Sequence, residues 1–223
     1  NHSLNRRPLL CNDPHMAVQI PGAWYELHLC AGDFAVSGVS WPGVPGVIIG
    51  HNADIAWGMT NAMVDVQDLY LERAHPVEAD QFEYNGDWEA ATVLEETITV
   101  RRRPAHTERV VITRHGPLIS GLVTPEQGKA TAGDTPLPLA LRWTGHEPGQ
   151  TVRAILQLNQ ARDWPEFTAA LADWSQPVQN VVFGDSRGNI GYVMAGTVPQ
   201  REQNLGLAPA PGWDEAYGWR GVI

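Results

Sequence analysis

Alternating apolar and polar positions predict a chain built mostly from β-strands. Apolar or alternating runs of four to eight residues recur along it, and Gly, Pro and Asn clusters separate them, as expected for strands joined by turns. The strands predicted in this way cover residues 8–11, 24–30, 34–41, 46–49, 55–57, 66–73, 93–102, 108–114, 178–184 and 190–195. The last two runs flank Asp185-Ser-Arg-Gly188-Asn189, which predicts a hairpin.

Helical spacing occurs only within residues 149–173, where two helices are predicted. The first is predicted from apolar residues at Val152, Ile155, Leu156 and Leu158. The second begins at Asp163, with Pro165 in its first turn and Glu166 three positions after the cap, which is the capping-box arrangement. Its apolar face is predicted to contain Phe167, Leu171 and Trp174.

The order of these elements, strands first, then two helices and a hairpin, predicts an α+β fold. A length of 223 residues suits one domain or at most two, and we predict that residues 1–223 form part of a single domain. Residues 74–140 differ in character and are predicted to be a β-rich insertion. Residues 121–137 within it are a polar loop rich in Gly and Thr.

Composition excludes some classes of function. The formal net charge of −10 argues against nucleic-acid binding, and the short cluster at residues 101–103 is better explained as a solvated strand end. No apolar run reaches eighteen residues, so no membrane-spanning helix is predicted. Cys11 and Cys30 are the only cysteines. We expect two buried free thiols, although a disulfide in an oxidising compartment remains open.

Chemistry is concentrated between Gly46 and Asp68. Two buried strands meet there at a tight turn, and His51 in that turn is expected to have a structural hydrogen-bonding role. After them, small and polar residues up to Asn61 leave main-chain amides accessible. Asp65 and Asp68 then place two carboxylates three residues apart. This stretch therefore predicts the wall of a site with a metal clip beside it.

Several motifs occur in order over nearly the whole chain. They are Pro8-Leu-Leu-Cys-Asn12-Asp13-Pro14-His15, Pro42-Gly43-Val44-Pro45-Gly46, Gly50-His51-Asn52-x-x-Ile55-Ala56-Trp57-Gly58-x-Thr60-Asn61, Asp65-x-x-Asp68-Leu-Tyr70-x-Glu72, His115-Gly116-Pro117, Arg142-Trp143, Gln179-Asn180-x-x-x-x-Asp185-x-x-Gly188-Asn189-Ile190-Gly191-Tyr192 and Pro211-Gly212-Trp213. Together they resemble the penicillin acylase family of N-terminal-nucleophile amidohydrolases. The family includes penicillin, cephalosporin and acyl-homoserine-lactone acylases.

The resemblance implies a four-layer αββα sandwich and cleavage of linear amides by an N-terminal Ser. The α-amine of this Ser would act as the general base for its hydroxyl, because an α-amine has an ordinary pKa near neutrality. The main-chain N–H of Asn61 falls on an oxyanion donor, and His15 falls on the residue that contacts the nucleophile's amine. The nucleophilic Ser is expected before Asn1. A second oxyanion donor, an Asn side chain, is expected after Ile223. The chain alone is therefore expected to be inactive.

The resemblance also implies an acyl pocket. The positions that line it are Met16, Ile49, Met59, Met63 and Gln179. Ordinary core packing explains the same residues, most readily for Ile49. If they do line a pocket, three methionines make it deformable and favour a flexible aliphatic acyl chain over a phenylacetyl ring.

A structural Ca²⁺ ion is the cofactor that the resemblance implies. Its ligands would be the Asp65 and Asp68 carboxylates and the Gln67 carbonyl, with a further carbonyl near Leu205 or Gly206. The alternative is a pair of carboxylates facing solvent. A partner α chain cut from the same precursor, a small-molecule amide substrate and a periplasmic or secreted location are also implied. The competing hypothesis is a non-catalytic structural or binding fragment, dependent on Ca²⁺.

Overall fold

A computed structural model describes the chain over most of its length. It describes residues 3–4, 6–122, 131–132, 135–203 and 206–223. The chain divides into two compact units. The first comprises Asn1–Val64 and Glu147–Val198, and the second comprises Asp65–His146 and Pro199–Ile223. The stretch predicted as an insertion lies within the second unit, and much of its polar loop lies outside the described residues.

Strands account for most of the regular structure. In chain order they are β1 (Tyr25–Ala31), β2 (Phe34–Ser40), β3 (Ile49–His51), β4 (Ile55–Asn61), β5 (Gln67–Leu71), β6 (Gln81–Tyr84), β7 (Asp87–Ala90), β8 (Thr92–Ile98), β9 (His106–Thr113), β10 (Gly116–Pro117), β11 (Thr131–Ala132), β12 (Thr135–Pro136), β13 (Leu139–Trp143), β14 (Gln179–Asp185), β15 (Ile190–Ala195), β16 (Pro199–Arg201), β17 (Ala210–Pro211) and β18 (Trp219–Val222). The α-helices are α1 (Thr151–Leu158) and α2 (Trp164–Leu171), and short 3-10 helices cover Thr144–His146 and Glu215–Tyr217.

The first unit is a six-stranded antiparallel sheet with α1 and α2 packed on one face. The strand order is β1-β2-β3-β4-β14-β15. Trp57, Val181 and Phe183 point from the sheet into a core that also contains Leu158 and Phe167 from the helices. Alternation puts these strand residues on one face because successive side chains point to opposite faces. The predicted sheet-and-helix arrangement is therefore present in this unit.

Both predicted helices are present, and each buries one side against the sheet. Asp163 caps α2 by accepting a hydrogen bond from the Glu166 N–H at 3.0 Å, and the predicted apolar face of α2 is buried. In α1 the buried residues are Ala154, Ile155 and Leu158. Val152 and Leu156 lie in the helix as predicted and are 53% and 42% exposed. Neither helix is long or apolar enough to cross a bilayer, within the part of the chain described.

The segment before β1 also differs from expectation. Residues 8–11 form no strand, and Leu9 in that run is 84% exposed. The cysteines are free, as expected, but both are exposed rather than buried. Cys30 lies in β1, which is an edge strand of the sheet, and Cys11 lies in the segment that forms no strand. Neither position therefore gives its thiol a place in the core.

Two asparagine side chains fasten the end of α1 to the residues on either side of β3. The Asn159 side chain is buried and exchanges two hydrogen bonds of 2.7 Å with the Val47 backbone N–H and C=O. The Asn52 amide donates to the carbonyls of Asn159 and Ala161, and its oxygen accepts from the Ile55 N–H. Asn52 thus closes the turn between β3 and β4 and also ties that turn to the end of α1.

The second unit contains a buried polar cluster that explains two of the motifs. Glu72 and His115 are 2% and 5% exposed. The Glu72 carboxylate accepts the Thr113 hydroxyl at 2.6 Å and lies 3.0 Å from His115 Nδ1. The His115 ring stacks on Tyr70 with 4.0 Å between centroids. Since each buried polar group has a partner, the cluster holds β5, β9 and the turn after β9 together.

Replacing Asn159 by Ala should destabilise the protein strongly. The change leaves the buried N–H and C=O of Val47 without partners, which costs roughly 2–4 kcal/mol in the free energy of unfolding. Urea unfolding of the full-length protein measures it. The matched control is Gln160→Ala, because Gln160 is exposed and should change the midpoint little. Equal, small effects of the two substitutions would contradict the role given to Asn159.

Candidate functional site

Asn61 is the last residue of β4, opposite Gln179 in β14. The next residue, Ala62, donates its N–H to the Val178 carbonyl at 3.2 Å. In an antiparallel pair, hydrogen-bonded and non-hydrogen-bonded residues alternate. The N–H of Asn61 must therefore point away from β14. On that other side β3 pairs with β4 only as far as Trp57, so in the described chain no strand partner reaches this N–H.

Side chains hold the backbone around this N–H. The Asn61 Oδ1 accepts from the Met63 N–H at 3.0 Å, and Met63 has a left-handed φ of 55°. The Asn61 carbonyl accepts from Asn180 Nδ2 at 3.3 Å, and Tyr192 Oη donates to Asn180 Oδ1 at 2.6 Å. The end of β4 is thus fixed on both sides of Asn61.

Asn12 holds the same edge of β4 one step earlier. Its Nδ2 donates to the Met59 carbonyl at 3.1 Å. A Cβ on Gly58 would lie 2.6 Å from the Asn12 side chain, so this close approach requires Gly at that position. The sequence indicated Asn12 only as a turn residue. The motif's Gly58 was the one signal of its contact with β4.

His15 lies in the segment that Asn12 anchors. Its side chain is 92% exposed, and its Nδ1 lies 3.9 Å from an Asp13 carboxylate oxygen. The ring is therefore accessible from solvent. The role proposed for His15 toward a nucleophile's amine stays a prediction.

The predicted pocket residues separate into two groups. Met59 is 2% exposed and belongs to the core between the sheet and the helices, and Ile49 packs partly against that core. Met16 and Met63 are 50% and 83% exposed. Gln179 is half-buried in β14, opposite Asn61. Core packing therefore explains Met59 within this chain, while Met16 and Met63 present accessible thioethers.

In the second unit, Asp65 and Asp68 share an arginine. The Asp68 side chain is 1% exposed, and its Oδ2 accepts from Arg201 Nε at 2.8 Å and from the indole of Trp219. The Arg201 guanidinium also donates to the Asp65 carbonyl at 3.2 Å and lies 3.5 Å from the Asp65 carboxylate. One positive charge thus balances part of the negative charge of the pair.

The remaining carboxylate oxygens of Asp65 and Asp68 both lie near the backbone of Gly206. A Cβ on Gly206 would lie 1.9 Å from Asp65 Oδ2 and 3.2 Å from Asp68 Oδ1, and this Gly has a φ of 71°. Gln67 opens β5, and its N–H donates to Asp65 Oδ1 at 3.3 Å. Carboxylate oxygens are ligands that a hard cation takes, and here those of Asp65 and Asp68 lie against Gly206 and Arg201. In the described ranges, no three His, Cys, Asp or Glu side chains cluster to hold a metal, and Leu205 lies outside them.

A cavity of about 260 Å³ lies at the opposite end of β4 and β14 from Asn61. His51, Asn52 and Asp185 line part of it. His51 is exposed, and its Nδ1 lies 3.3 Å from the carbonyl of Asn52. None of the predicted catalytic or pocket residues lines this cavity, so it is separate from the surroundings of Asn61.

The Asp185 carboxylate accepts hydrogen bonds from residues of its own hairpin. Its Oδ1 accepts from the N–H groups of Arg187 and Asn189, and its Oδ2 accepts from Asn189 Nδ2 at 2.7 Å. Burial raises the pKa of this carboxyl, but the hydrogen bonds from Asn189, Arg187 and Gly188 outweigh burial and leave the pKa below its ordinary value. Asp185 is therefore a structural carboxylate that closes the turn between β14 and β15.

Comparison with known proteins gives consistent similarities. The family model described as penicillin amidase matches residues 1–223. The acyl-homoserine lactone acylase QuiP of Pseudomonas aeruginosa is 31% identical, over 98% of this chain and 26% of that protein. The penicillin acylase 2 proenzyme of Pseudomonas sp. (strain SE83) is 32% identical, over 97% and 27%. A solved structure, a thermostable penicillin G acylase from Alcaligenes faecalis, has a TM-score of 0.78 and 30% identity over 94% of this chain and 36% of that one.

These similarities confirm the fold class predicted from the sequence. The fold is α+β, part of an αββα sandwich of the N-terminal-nucleophile type. The six-stranded sheet with α1 and α2 supplies one β layer and helices of one α layer. The chain spans about a quarter of the length of the curated relatives it matches.

Replacing Asp185 by Asn should lower stability in a pH-dependent way. Because the folded-state pKa of Asp185 is lowered, its contribution is complete above the unfolded pKa of about 4 and is lost as pH falls through the folded value. The variant should be about 1 kcal/mol less stable at pH 7, and the difference should shrink below pH 4. Urea midpoints against pH measure it. Asp33→Asn, in the exposed β1–β2 turn, is the control, and a difference independent of pH would contradict the account.

Proposed function

Since the chain belongs to the penicillin amidase family, we propose that the protein containing it is an amidohydrolase that cleaves linear amides. The observation that carries the proposal is the main-chain N–H of Asn61, which points away from β14 at the end of a rigid strand. A fixed N–H of this kind suits stabilisation of a negative charge that develops on a carbonyl oxygen.

The proposed reaction uses an N-terminal Ser outside this chain. Its hydroxyl attacks the amide carbonyl while its α-amine accepts the proton, and the same proton then leaves with the amine product. The resulting acyl-enzyme is hydrolysed by water. The Asn61 N–H and an Asn side chain from outside this chain donate to the oxyanion in both steps. His15 is proposed to orient the nucleophile's amine.

The proposed substrate carries a flexible aliphatic acyl chain. The relatives are named as acylases of acyl-homoserine lactones and of penicillin, so both classes of amide are candidates. The exposed thioethers of Met16 and Met63 can adapt to an unbranched chain, because methionine has three rotatable bonds. We propose that they contact the acyl chain, and that Ile49, Met59 and Gln179 form the wall behind them.

A structural Ca²⁺ ion and a partner chain complete the proposal. Asp65 and Asp68, with the Gln67 carbonyl, would hold the ion, and its part would be to brace the fold rather than to enter the reaction. The partner is an α chain cut from the same precursor, since one relative is named a proenzyme. Export to the periplasm is proposed from the family alone.

The function is tested by substrate hydrolysis with the full-length protein. Release of free amine is measured for a long-chain acyl-homoserine lactone, glutaryl-cephalosporin and penicillin G. We expect the highest kcat/KM for the long-chain lactone.

Asn61→Pro removes the N–H without removing a bond to β14, and it should lower kcat by about 10²–10³-fold. Asn61→Ala keeps the N–H and should retain most activity. No turnover of any amide, or an active Pro variant, would contradict the proposal.

Chelation tests the proposed cation. Removing Ca²⁺ from the full-length protein with EGTA should lower its apparent melting temperature by about 3 °C or more, and added Ca²⁺ should restore it. Asp68→Asn should abolish this response, whereas Glu147→Gln, at an exposed position, should keep it. A wild-type protein that melts at one temperature in EGTA and in excess Ca²⁺ has no such site.

A further inference from the structure

The main-chain N–H and C=O groups of Met59 and Asn61 share the open edge of β4. Because the strand alternates, Met59 and Asn61 both direct their backbone polar groups away from β14. Along this edge the Met59 N–H comes first, followed by the Met59 carbonyl, the Asn61 N–H and the Asn61 carbonyl. The register of β4 with β14 and the bond from Ala62 to Val178 fix the order.

This order of groups is electrostatically unfavourable for binding an oxyanion at the Asn61 N–H. The carbonyl oxygens on either side of the Asn61 N–H carry partial negative charge. An anionic oxygen that approaches the N–H would be repelled by both, because like charges repel each other. A useful donor at this position therefore needs its two neighbouring carbonyls occupied by other donors.

The structure supplies such a donor for each carbonyl. Asn12 Nδ2 donates to the Met59 carbonyl at 3.1 Å, and Asn180 Nδ2 donates to the Asn61 carbonyl at 3.3 Å. A carbonyl oxygen only accepts hydrogen bonds, so the Asn180 amide must turn its nitrogen toward Asn61. The Tyr192 hydroxyl, which donates to Asn180 Oδ1 at 2.6 Å, stabilises that orientation.

We propose that Asn12 and Asn180 are positioning residues for the oxyanion donor, with Tyr192 acting through Asn180. They occupy the two carbonyls that flank the Asn61 N–H, so that an anion approaching this N–H meets hydrogen-bonded carbonyls on either side. The inference rests on the proposed amidohydrolase function. It adds specific side chains, remote in sequence, to the set on which the chemistry depends.

Variants of Asn12, Asn180 and Tyr192 test the proposal in the full-length protein with the best amide substrate. Asn180→Ala should lower kcat about tenfold and leave KM within about twofold, because the lost interaction matters most when negative charge develops. Tyr192→Phe should lower kcat by a smaller factor. The double variant should match Asn180→Ala, since Tyr192 acts only through Asn180. Asn12→Ala should resemble Asn180→Ala. Tyr84→Phe, which removes a hydroxyl from the second unit, is the control.

A second measurement separates this role from a merely structural one. An alkyl phosphonate that mimics the tetrahedral state should bind about tenfold more weakly to Asn180→Ala, whereas the free carboxylic acid product should bind nearly as before. Equal losses for both ligands, or additive effects of Asn180→Ala and Tyr192→Phe on kcat, would overturn the inference while an active wild type keeps the proposed function. A wild type that hydrolyses none of the amides overturns both.

Discussion

The pairing of β4 with β14 is the constraint on which the rest of the first unit depends. The two strands run antiparallel from Ile55 opposite Asp185 to Asn61 opposite Gln179, in the interior of the sheet. The register decides which side chains face the helices. It also decides which backbone groups face the open edge, because both alternate with period two. A shift by one residue would turn Trp57 out of the core and turn the Asn61 N–H into the sheet.

Side-chain amides form hydrogen bonds to backbone groups at both ends of β4, where strand pairing stops. Where β3 stops pairing, Asn12 and Asn180 take the carbonyls of β4, and at the other end Asn52 closes the turn and Asn159 binds Val47. Asn suits these places because one side chain offers both a donor and an acceptor. These four asparagines therefore share a physical role although they lie far apart in the sequence.

Local patterns predicted most elements, and contacts between distant residues explain the differences. Strand alternation and the Asp163 cap are local, so β14, β15 and α2 were predictable. Residues 8–11 look like a strand, yet Asn12 attaches that segment through its side chain, across 47 residues, to Met59. The link from Asn180 to Asn61 spans 119 residues, and no local pattern indicates it. The arginine that Asp65 and Asp68 share, Arg201, was likewise missed because it comes from β16.

The most direct test is a crystal structure of the processed full-length protein with an alkyl boronic acid, which forms a tetrahedral adduct with a nucleophilic Ser. We expect a boronate oxygen about 2.7–3.1 Å from the Asn61 nitrogen, with Asn12 and Asn180 still bonded to the flanking carbonyls. An adduct whose oxygens all bind other donors, with the Asn61 N–H unused, would contradict this expectation.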